Sequence, residues 1–434
     1  MSTQHEVDRL LRENGMHAAD IDMELELVKF KADFFAGLSR EGKASLMMLP
    51  SYIPVTTEII SGKPIIAVDA GGTNLRVAVV SFDDHGEMKL EDYRTFPMPG
   101  VDKAVTSEQF FETLAGYMLP ISDRSDTVGF CFSYPFNSTD NRDAEALPLG
   151  KEVEVIGIEG ALIGEGTERA LKALGAKGAR RYTLINDTVA AMLAGALASS
   201  DKEYDGCVGL ILGTGLNTCC AVQTSLIEKA NRANYLPDSM IINMEIGNYN
   251  GFSRGTVDRA IDARSNNPGA HVFEKMVSGA YMGTVILDTI KLAARAGLFS
   301  EHCCERTLAI ETLSLKTVDQ YLRGEEDNEL ARLSDREVDV EVLGYLLGLL
   351  YARAAKLLAV ALCGILECTD KGADEARPVC ICAEGTTFHK SEQFRELLNI
   401  FIGEFVIGKH RRYLEFIKID NATLVGTAVA GMMR

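Results

Sequence analysis

Several features that mark particular classes of protein are missing from this sequence of 434 residues. Only 44 lysines and arginines stand against 62 aspartates and glutamates, and the formal charge of -18 argues against a general nucleic-acid or membrane-surface role. Any anionic ligand must therefore be bound locally, by backbone amides, a metal ion and a few cationic side chains. The ten cysteines form no CxxC pair, which predicts reduced thiols in a cytoplasmic protein. The run His302-Cys303-Cys304 lacks the further ligands of a metal cluster, and tryptophan is absent altogether.

Segments that would direct the chain to a membrane are missing too. Residues 1–12 are polar and charged, so we expect no secretory signal. The most apolar segment, residues 342–366, is interrupted by Arg353 and Lys356 and favours a buried helix over a membrane span. No long linker rich in proline or serine is visible. The length allows two or three domains, and without a linker we predict a two-lobed α/β body with a cleft between its lobes.

The most informative stretch is residues 65–81. Two apolar runs rich in β-branched residues flank a polar turn, which is typical of a hairpin with buried strands. The turn offers glycine amides that a ligand can approach, side-chain hydrogen-bond donors, the positively charged guanidinium of an arginine, and a carboxylate suited to a hydrated cation. These features predict a site for a polyphosphate with its magnesium, or, alternatively, a tight hairpin that needs glycine only for its shape. The residues concerned are Asp69, Gly71, Gly72, Thr73, Asn74 and Arg76.

A second strand–turn–strand pattern covers residues 208–223, around Gly213-Thr214-Gly215-Leu216-Asn217. It repeats the arrangement of the first, a glycine–threonine turn between two buried strands, and predicts an internal duplication. Hydrophobic periodicity and capping residues predict most other elements. We expect helices at 1–45 with a break near Asn14-Gly15, and at 107–120, 164–175, 188–198, 271–292, 343–368 and 423–434. We expect strands at 127–133, 182–185, 240–244 and 379–383, and a polar, turn-rich connection at 82–106.

Acidic and amide residues end several predicted strands or begin predicted helices. Open α/β sheets place their ligands at such strand ends. Asp187 is the best candidate for a general base, since a sugar hydroxyl is a poor nucleophile and a positioned carboxylate can accept its proton. A ring of carboxylates and amides suits a polyol, although each residue alone could be a helix cap or a solvated side chain. The set is Asp69, Asn186, Asp187, Asn217, Glu245 and Glu274.

Two competing motifs are rejected. Residues 37–43 nearly spell a P-loop, but Ala44 stands where serine or threonine is required and the pattern is helical. Residues 251–255, Gly-Phe-Ser-Arg-Gly, match the nucleophile elbow of a hydrolase, but no strand precedes them.

Taken in order, the motifs resemble those of the hexokinase family, of the hexokinase/glucokinase type, within the actin-like ATPase superfamily. The resemblance extends from Leu49 to the last predicted helix. The matching segments are 69–76 and 213–217 for the two phosphate loops, 129–135 for a sugar-site strand, 185–189 for the catalytic aspartate, 243–247 and 267–279 for two sugar glutamates, and 353–357 for the long core helix.

The resemblance implies the two-lobed actin-like ATPase fold, which is ribonuclease H-like, with a small lobe of residues 62–187 plus 421–434 and a large lobe of 1–61 plus 188–420. It implies an ATP-dependent hexose kinase, most simply for glucose, that acts on the 6-hydroxyl in the cytoplasm as a monomer or homodimer. Nucleic-acid and membrane partners are not expected. The alternatives are a non-catalytic sugar sensor on the same fold and an actin-like ATPase without a sugar site.

The resemblance also implies a role for each matching residue. Asp187 deprotonates the hexose, and Asp69 holds Mg²⁺ through water. Three segments depart from the family pattern: Gly150 precedes Lys151 where the family has threonine, Ile246 replaces a tryptophan, and the region expected to bind adenosine matches loosely. The implied hexose ligands are Ser133, Lys151, Asn186, Asp187, Asn217, Glu245 and Glu274. The implied nucleotide ligands are Asp69, Gly71, Gly72, Thr73, Asn74, Arg76, Gly213, Thr214, Gly215, Gly279, Gly385 and Thr386.

Overall fold

The computed structural model describes residues 3–55, 60–149, 153–198, 202–230, 236–325, 327–334 and 336–433. The strands are β1 (Leu49–Pro50), β2 (Ile65–Ala70), β3 (Asn74–Phe82), β4 (Met88–Pro97), β5 (Val105–Thr106), β6 (Thr127–Phe132), β7 (Phe136–Ser138), β8 (Ala144–Ala146), β9 (Val155–Ile156), β10 (Arg181–Ile185), β11 (Gly206–Leu212), β12 (Leu216–Gln223), β13 (Ser239–Asn243), β14 (Val379–Glu384) and β15 (Leu414–Ile417). The α-helices are α1 (Thr3–Glu13), α2 (Met23–Leu38), α3 (Ser107–Met118), α4 (Ile163–Ala173), α5 (Asp187–Ala198), α6 (Thr256–Arg264), α7 (Val272–Val277), α8 (Gly279–Arg295), α9 (Glu301–Ala309), α10 (Leu315–Leu322), α11 (Glu337–Cys368), α12 (Thr386–Lys390), α13 (Glu392–Phe401) and α14 (Ala422–Met432).

Two large sheets follow one plan. The first has the order β10-β6-β2-β3-β4, and the second has the order β15-β14-β11-β12-β13 with β1 added beside β13. In both, the central strand pairs antiparallel with the next strand of its hairpin and parallel with a later strand. All six residues of β2 are buried, because both faces of the sheet are covered, as its continuous apolar run predicts. Both predicted hairpins are present, and the predicted internal repeat is confirmed in the strand order.

Helices α5 and α14 pack against each other between the two sheets. Each follows one sheet in the chain and covers the other: α5 lies on β11 and β14, and α14 lies on β2 and β6. Glycines make this close packing possible. A Cβ atom on Gly209 would collide with the carbonyl oxygen of Thr188, one on Gly129 with that of Thr427, and one on Gly426 with that of Ala190. The proposed lobe boundaries at 187/188 and 420/421 stay a prediction, and they assign each of these helices to the sheet that it covers.

Helix α11 is the long core helix. By length and composition it could cross a membrane, but 83% of its most apolar window is buried inside the protein. Its Arg353, which interrupts the apolar run, forms a fully buried ion pair with Asp258, with Nη2 and Oδ2 2.5 Å apart. The predicted buried helix is therefore confirmed, and it begins six residues earlier than expected. All ten cysteines are free thiols, as predicted.

Three local predictions need correction. The connection at 82–106 contains β4, a ten-residue strand that the sequence does not reveal because most of its residues are exposed at the sheet edge. The helix expected at 271–292 is broken at Ser278, whose extended backbone separates α7 from α8. Thr106, not Ser107, is the N-cap of α3, and its hydroxyl accepts a hydrogen bond from the Gln109 amide.

Candidate active site

The turns of the two hairpins line one cleft between the sheets. A cavity of about 480 Å³ lies there, bordered by Gly72 and Thr73 from the first turn and by Thr214 and Gly215 from the second. Asp187 lines it as well. The predicted sugar residues that also border this cavity are Ser133, Asn186, Asn217, Glu245 and Glu274. The geometry that the sequence predicts, two glycine–threonine turns opposite a carboxylate, is therefore present.

Asp187 is positioned by the end of β10 and the start of α5. Its Oδ1 accepts a hydrogen bond from the backbone amide of Thr188 at 2.8 Å, which fixes the carboxylate at the N-terminus of the helix. Burial and, to a smaller extent, the nearby charge of Asp69 raise the pKa of Asp187 to about 6, against hydrogen bonds from Thr188 and Ser133 that lower it. A carboxylate with such a pKa is a stronger base than an ordinary aspartate and is still mostly ionised near neutral pH.

Amide side chains hold the next carboxylate in place. Glu245 Oε1 accepts hydrogen bonds from Asn243 Nδ2 at 2.9 Å and from Asn217 Nδ2 at 3.2 Å. Asn217 Nδ2 also lies 3.3 Å from Asn186 Oδ1, so one network links three strand ends. Glu245 has φ of 51°, a left-handed conformation that is uncommon outside glycine. Such residues persist where the surrounding structure holds them in place, and they cluster at functional sites. Burial first, then the charges of Asp187 and Glu274, raise its pKa to about 7.

Glu274 reaches the cleft from α7. Its Oε2 accepts a hydrogen bond from the Leu216 amide at 3.0 Å. The side chain lies so close to Gly215 and Gly247 that a Cβ on Gly215 would be 2.8 Å from Oε2 and one on Gly247 would be 3.2 Å from Cβ of Glu274. These glycines leave room for the carboxylate beside the second turn. His271, which the sequence analysis did not select, lies near it, with Nδ1 3.9 Å from Glu274 Oε1.

Charged side chains support the first turn. Asp69 is 3% exposed, and its Oδ2 accepts hydrogen bonds from Arg76 Nη1 at 2.8 Å and from Thr423 Oγ1 at 3.1 Å. The hydroxyl of Tyr134 donates to the carbonyl oxygens of Gly71 and Gly72, at 3.2 and 3.1 Å respectively. The loop carbonyls are thus turned towards the protein.

Backbone contacts support the second turn. The carbonyl oxygen of Gly213 accepts hydrogen bonds from the Gly279 amide at 2.8 Å and from Thr387 Oγ1 at 2.9 Å. Gly279 is the first residue of α8, so the break at Ser278 directs that helix N-terminus to the turn. Gly385 has φ of 109°, and a Cβ there would collide with the carbonyl oxygen of Leu212. Only glycine fits at this position.

A second cavity of about 580 Å³ continues from the first, since Thr214 and Ala280 border both. The predicted nucleotide residues Gly279 and Thr386 border it. Four charged side chains that were not predicted from the sequence also line it: three lie on α10 or directly after it, where no motif was recognised, and the fourth ends α12, which begins at the predicted Thr386. They are Lys316, Asp319, Arg323 and Lys390.

The remaining predicted residues are placed as follows. Gly71, Asn74, Asp69 and Arg76 belong to the first hairpin but do not border either cavity. Gly213 is the first residue of the second turn, and Gly385 packs against it. Lys151 lies outside the described residues. Asn243 and Tyr134 were not predicted from the sequence, although Asn243 ends β13 only two residues before Glu245.

The structure also locates the competing motifs. Ser253 of the supposed nucleophile elbow donates its hydroxyl to Glu26 in a loop, with no strand before it. Among the described residues, the side chains grouped closely enough to hold a metal ion are Cys363, Glu367 and His410, not His302. There Lys31 Nζ already pairs with Glu367 Oε2 at 2.6 Å.

Comparison with known proteins assigns the chain to a family. Two family models, both described as hexokinase, match residues 11–197 and residues 207–433, the second of which is more than half of the chain. Hexokinase-1 of Schizosaccharomyces pombe is 26% identical over 392 residues, which cover 85% of this chain and 79% of that protein. The hexokinase of Brugia malayi is 31% identical over 298 residues, which cover 65% of this chain and 51% of that protein. Human hexokinase-2 is 28% identical over 401 residues, which cover 87% of this chain but only 43% of that protein.

Solved structures agree. A Schistosoma mansoni hexokinase complexed with glucose superposes with a TM-score of 0.79 at 21% identity, over the whole of both chains. A glucokinase of the ROK family from Streptomyces griseus, with glucose and AMPPNP, superposes with a TM-score of 0.50 at 16% identity, over 85% of this chain and 99% of that one. These likenesses confirm the predicted two-lobed actin-like ATPase fold. The chain therefore belongs to the hexokinase family, the ATP-dependent kinases of hexoses.

Proposed function

We propose that the protein transfers the terminal phosphoryl group of ATP to the 6-hydroxyl of a hexose, with glucose as the first substrate to test. The observation that carries this proposal is that two phosphate-loop turns, one from each sheet, border the same cleft as Asp187. The relatives support the choice of ligands, because the S. mansoni structure contains glucose and the S. griseus structure contains glucose and AMPPNP. We further propose a cytoplasmic enzyme that acts as a monomer or homodimer.

The sugar binds in the first cavity. Glu245, Glu274 and the amides of Asn186 and Asn217 offer several donors and acceptors to a polyol, and the network among them fixes their orientation before the sugar arrives. Lys151, which the family resemblance assigns to the same site, is part of this proposal. The 6-hydroxyl faces Asp187, which accepts its proton as the oxygen attacks the γ-phosphorus. The bond from that phosphorus to the bridging oxygen breaks, and ADP leaves.

The nucleotide binds across the two turns. Thr73, Thr214 and the turn amides lie on either side of the cleft, so the triphosphate is held from both sheets. Asp69 fits a cation bound through water, because it is a buried carboxylate and a single oxygen, Oδ2, accepts the hydrogen bonds from both Arg76 and Thr423. When bound, Mg²⁺ would neutralise charge on the phosphate oxygens. The chain itself supplies the orientation of Asp69 and the base Asp187.

Substitution of Asp187 tests the proposal. We expect Asp187→Ala to lower kcat by about 10²–10⁴-fold, the usual contribution of a general base, while glucose affinity changes by less than about tenfold. ADP release measured with a coupled assay gives kcat, and calorimetry gives the affinity. Asp123→Ala, at an exposed aspartate of the same half of the chain, is the control and should behave as wild type.

The same assay separates the alternatives. A protein that glucose stabilises in a thermal melt, but that releases no ADP with any hexose, would be a sugar sensor rather than a kinase. A panel of glucose, mannose, fructose and glucosamine identifies the preferred hexose. Near-normal kcat in Asp187→Ala would contradict the role of that residue and leave the kinase activity itself standing.

A further inference from the structure

The second cavity contains a carboxylate that the reaction as described does not use. Asp319 lies on α10 and borders this cavity together with Thr214, Gly279 and Thr386. These neighbours are residues assigned to the nucleotide phosphates in the proposed function. An acidic side chain in a cavity for a polyanion therefore needs an explanation.

The carboxylate of Asp319 is rigidly held by one of its two oxygens. Oδ1 accepts hydrogen bonds from Tyr351 Oη at 2.8 Å and from Ser391 Oγ at 2.7 Å. Both donors are buried, at 1% exposure each, and they come from α11 and from the residue before α13. In the part of the chain that the structure describes, no hydrogen bond is made to Oδ2, and that oxygen is not among the buried atoms lacking a partner. Oδ2 is thus an oriented acceptor at the cavity surface.

Cationic side chains surround this acceptor, since Lys316, Arg323 and Lys390 border the same cavity. Burial raises the pKa of Asp319 above its usual value, against the hydrogen bonds from Ser391 and Tyr351 and the charge of Arg323, which lower it. A carboxylate oxygen without a protein donor accepts a hydrogen bond from a ligand group that carries O–H or N–H, which an ionised phosphate does not offer.

The position of the cavity selects the ligand group. The phosphates are assigned to the Thr214 end, where the two cavities meet. The part of a nucleotide next to its phosphates is the ribose, whose 2′- and 3′-hydroxyls are donors, and the base lies further on. Carboxylates recognise ribose hydroxyls in this way at other nucleotide sites.

We propose that Asp319 Oδ2 accepts a hydrogen bond from a ribose hydroxyl of the nucleotide, so that the protein distinguishes ribonucleotides from deoxyribonucleotides. This inference rests on the proposed function, since it takes the second cavity as the nucleoside site. The selection is made on the sugar of the nucleotide and not on its base.

The test compares ADP, 2′-deoxy-ADP and 3′-deoxy-ADP by calorimetry, and the corresponding triphosphates by turnover, with the full chain and saturating glucose. We expect at least one deoxy analogue to bind the wild-type protein about tenfold more weakly than ADP. Asp319→Asn keeps the oxygen that Tyr351 and Ser391 need but places an NH₂ donor at Oδ2. It should weaken ADP binding about tenfold and abolish the difference between ADP and the deoxy analogue, with the KM for glucose unchanged.

Tyr351→Phe is the matched control, because it removes one hydroxyl from Oδ1 and leaves Oδ2 in place. It should keep the discrimination. Equal binding of all three nucleotides to the wild-type protein would overturn the inference without any variant. So would a discrimination that Asp319→Asn retains, or an effect of that variant on the ATP-to-GTP ratio alone. Because ADP binding needs no phosphoryl transfer, a protein that binds ADP as expected but phosphorylates no hexose would contradict the proposed function and leave the inference about Asp319 intact.

Discussion

The turn between β2 and β3 and the turn between β11 and β12 occupy equivalent positions in two sheets of the same strand order, but different interactions stabilise them. The first turn depends on side chains: the Asp69–Arg76 ion pair, the hydroxyl of Thr423, and Tyr134 beneath the loop carbonyls. The second depends on the backbone: Gly279 and Thr387 hold the carbonyl oxygen of Gly213, and Gly385 packs under Leu212.

The difference indicates that the two turns have different roles in binding the phosphates. A side-chain ion pair can exchange partners when a cation and a phosphate arrive, because Arg76 is 43% exposed and can move. A glycine packed against a carbonyl oxygen cannot move in this way. We infer that the second turn is a fixed platform for the phosphates, while the first turn carries the charges that respond to them.

The largest effect is expected where the fixed platform is disturbed. Gly385→Ala must adopt φ of 109° with its Cβ against the Leu212 carbonyl oxygen, so the second turn has to shift. We expect kcat/KM for ATP to fall at least about a hundredfold, since small displacements of positioned groups have effects of that order. Gly71→Ala in the first turn should cost much less, because its Cβ would meet only the Asn74 oxygen, at 3.3 Å.

Gly178→Ala is the control for backbone strain alone, since Gly178 has φ of 77° and open space where a Cβ would lie. It should lower the melting temperature slightly and leave kcat/KM unchanged. If Gly71→Ala proved as damaging as Gly385→Ala, the contrast between a fixed and a responsive turn would be wrong.

A smaller effect is expected from the ion pair of the first turn. Arg76→Ala leaves the buried Asp69 carboxylate without its cation, and we expect kcat/KM for ATP to fall about thirtyfold, or about 2 kcal/mol. Arg76→Lys should lie between this variant and wild type, because it keeps the charge but loses the fork. Arg94→Ala, at an exposed arginine on the neighbouring strand β4, should have no effect. A loss of folding stability with unchanged kinetics in Arg76→Ala would make the pair structural only.

The smallest effect is expected from pH, and it compares one carboxylate from each sheet. Asp187, after β10, has a pKa of about 6, and Glu245, after β13, has a pKa of about 7. Protonated Asp187 cannot accept the hexose proton, so kcat/KM for glucose should fall as the pH drops through 6, to about one tenth at pH 5. In Glu245→Gln this acid limb should stay near pH 6 even though glucose binds more weakly. If the fall of kcat/KM at low pH disappeared in Glu245→Gln, that fall would be due to Glu245 and not to Asp187.

The sequence predicts those parts of the molecule whose cause is local. Both hairpins were predicted because apolar runs and glycine turns adjoin in the chain, and Asp187 was found because it follows a short strand. Strand β4 was missed because an exposed edge strand carries no apolar pattern. The break at Ser278 was missed because the apolar periodicity continues across it. The break lets the amide of Gly279 donate a hydrogen bond to Gly213, which is 66 positions earlier in the chain.

The candidate site shows the same limit. Asn217, Asn243 and Glu245 meet through sheet register, which brings Asn243 beside Cys219 two residues beyond Asn217, and no single stretch of sequence reveals that. Asp319 lies on a helix without a motif and gains its orientation from Tyr351 and Ser391, which are 32 and 72 positions distant. The family resemblance supplied Asn217 and Glu245, which match its motifs, but it did not supply Asn243, Asp319 or the partners of Asp319.

The crossing of α5 and α14 has a consequence for how such a molecule could have arisen. The last helix of each half covers one face of the other half's sheet, so that this face is not closed by its own half. The shared strand order points to an origin in one half-length gene copied in tandem. A solitary product of that gene would have had one face of its sheet bare. We infer that two such products closed these faces by pairing, each copy lending its final helix to the other.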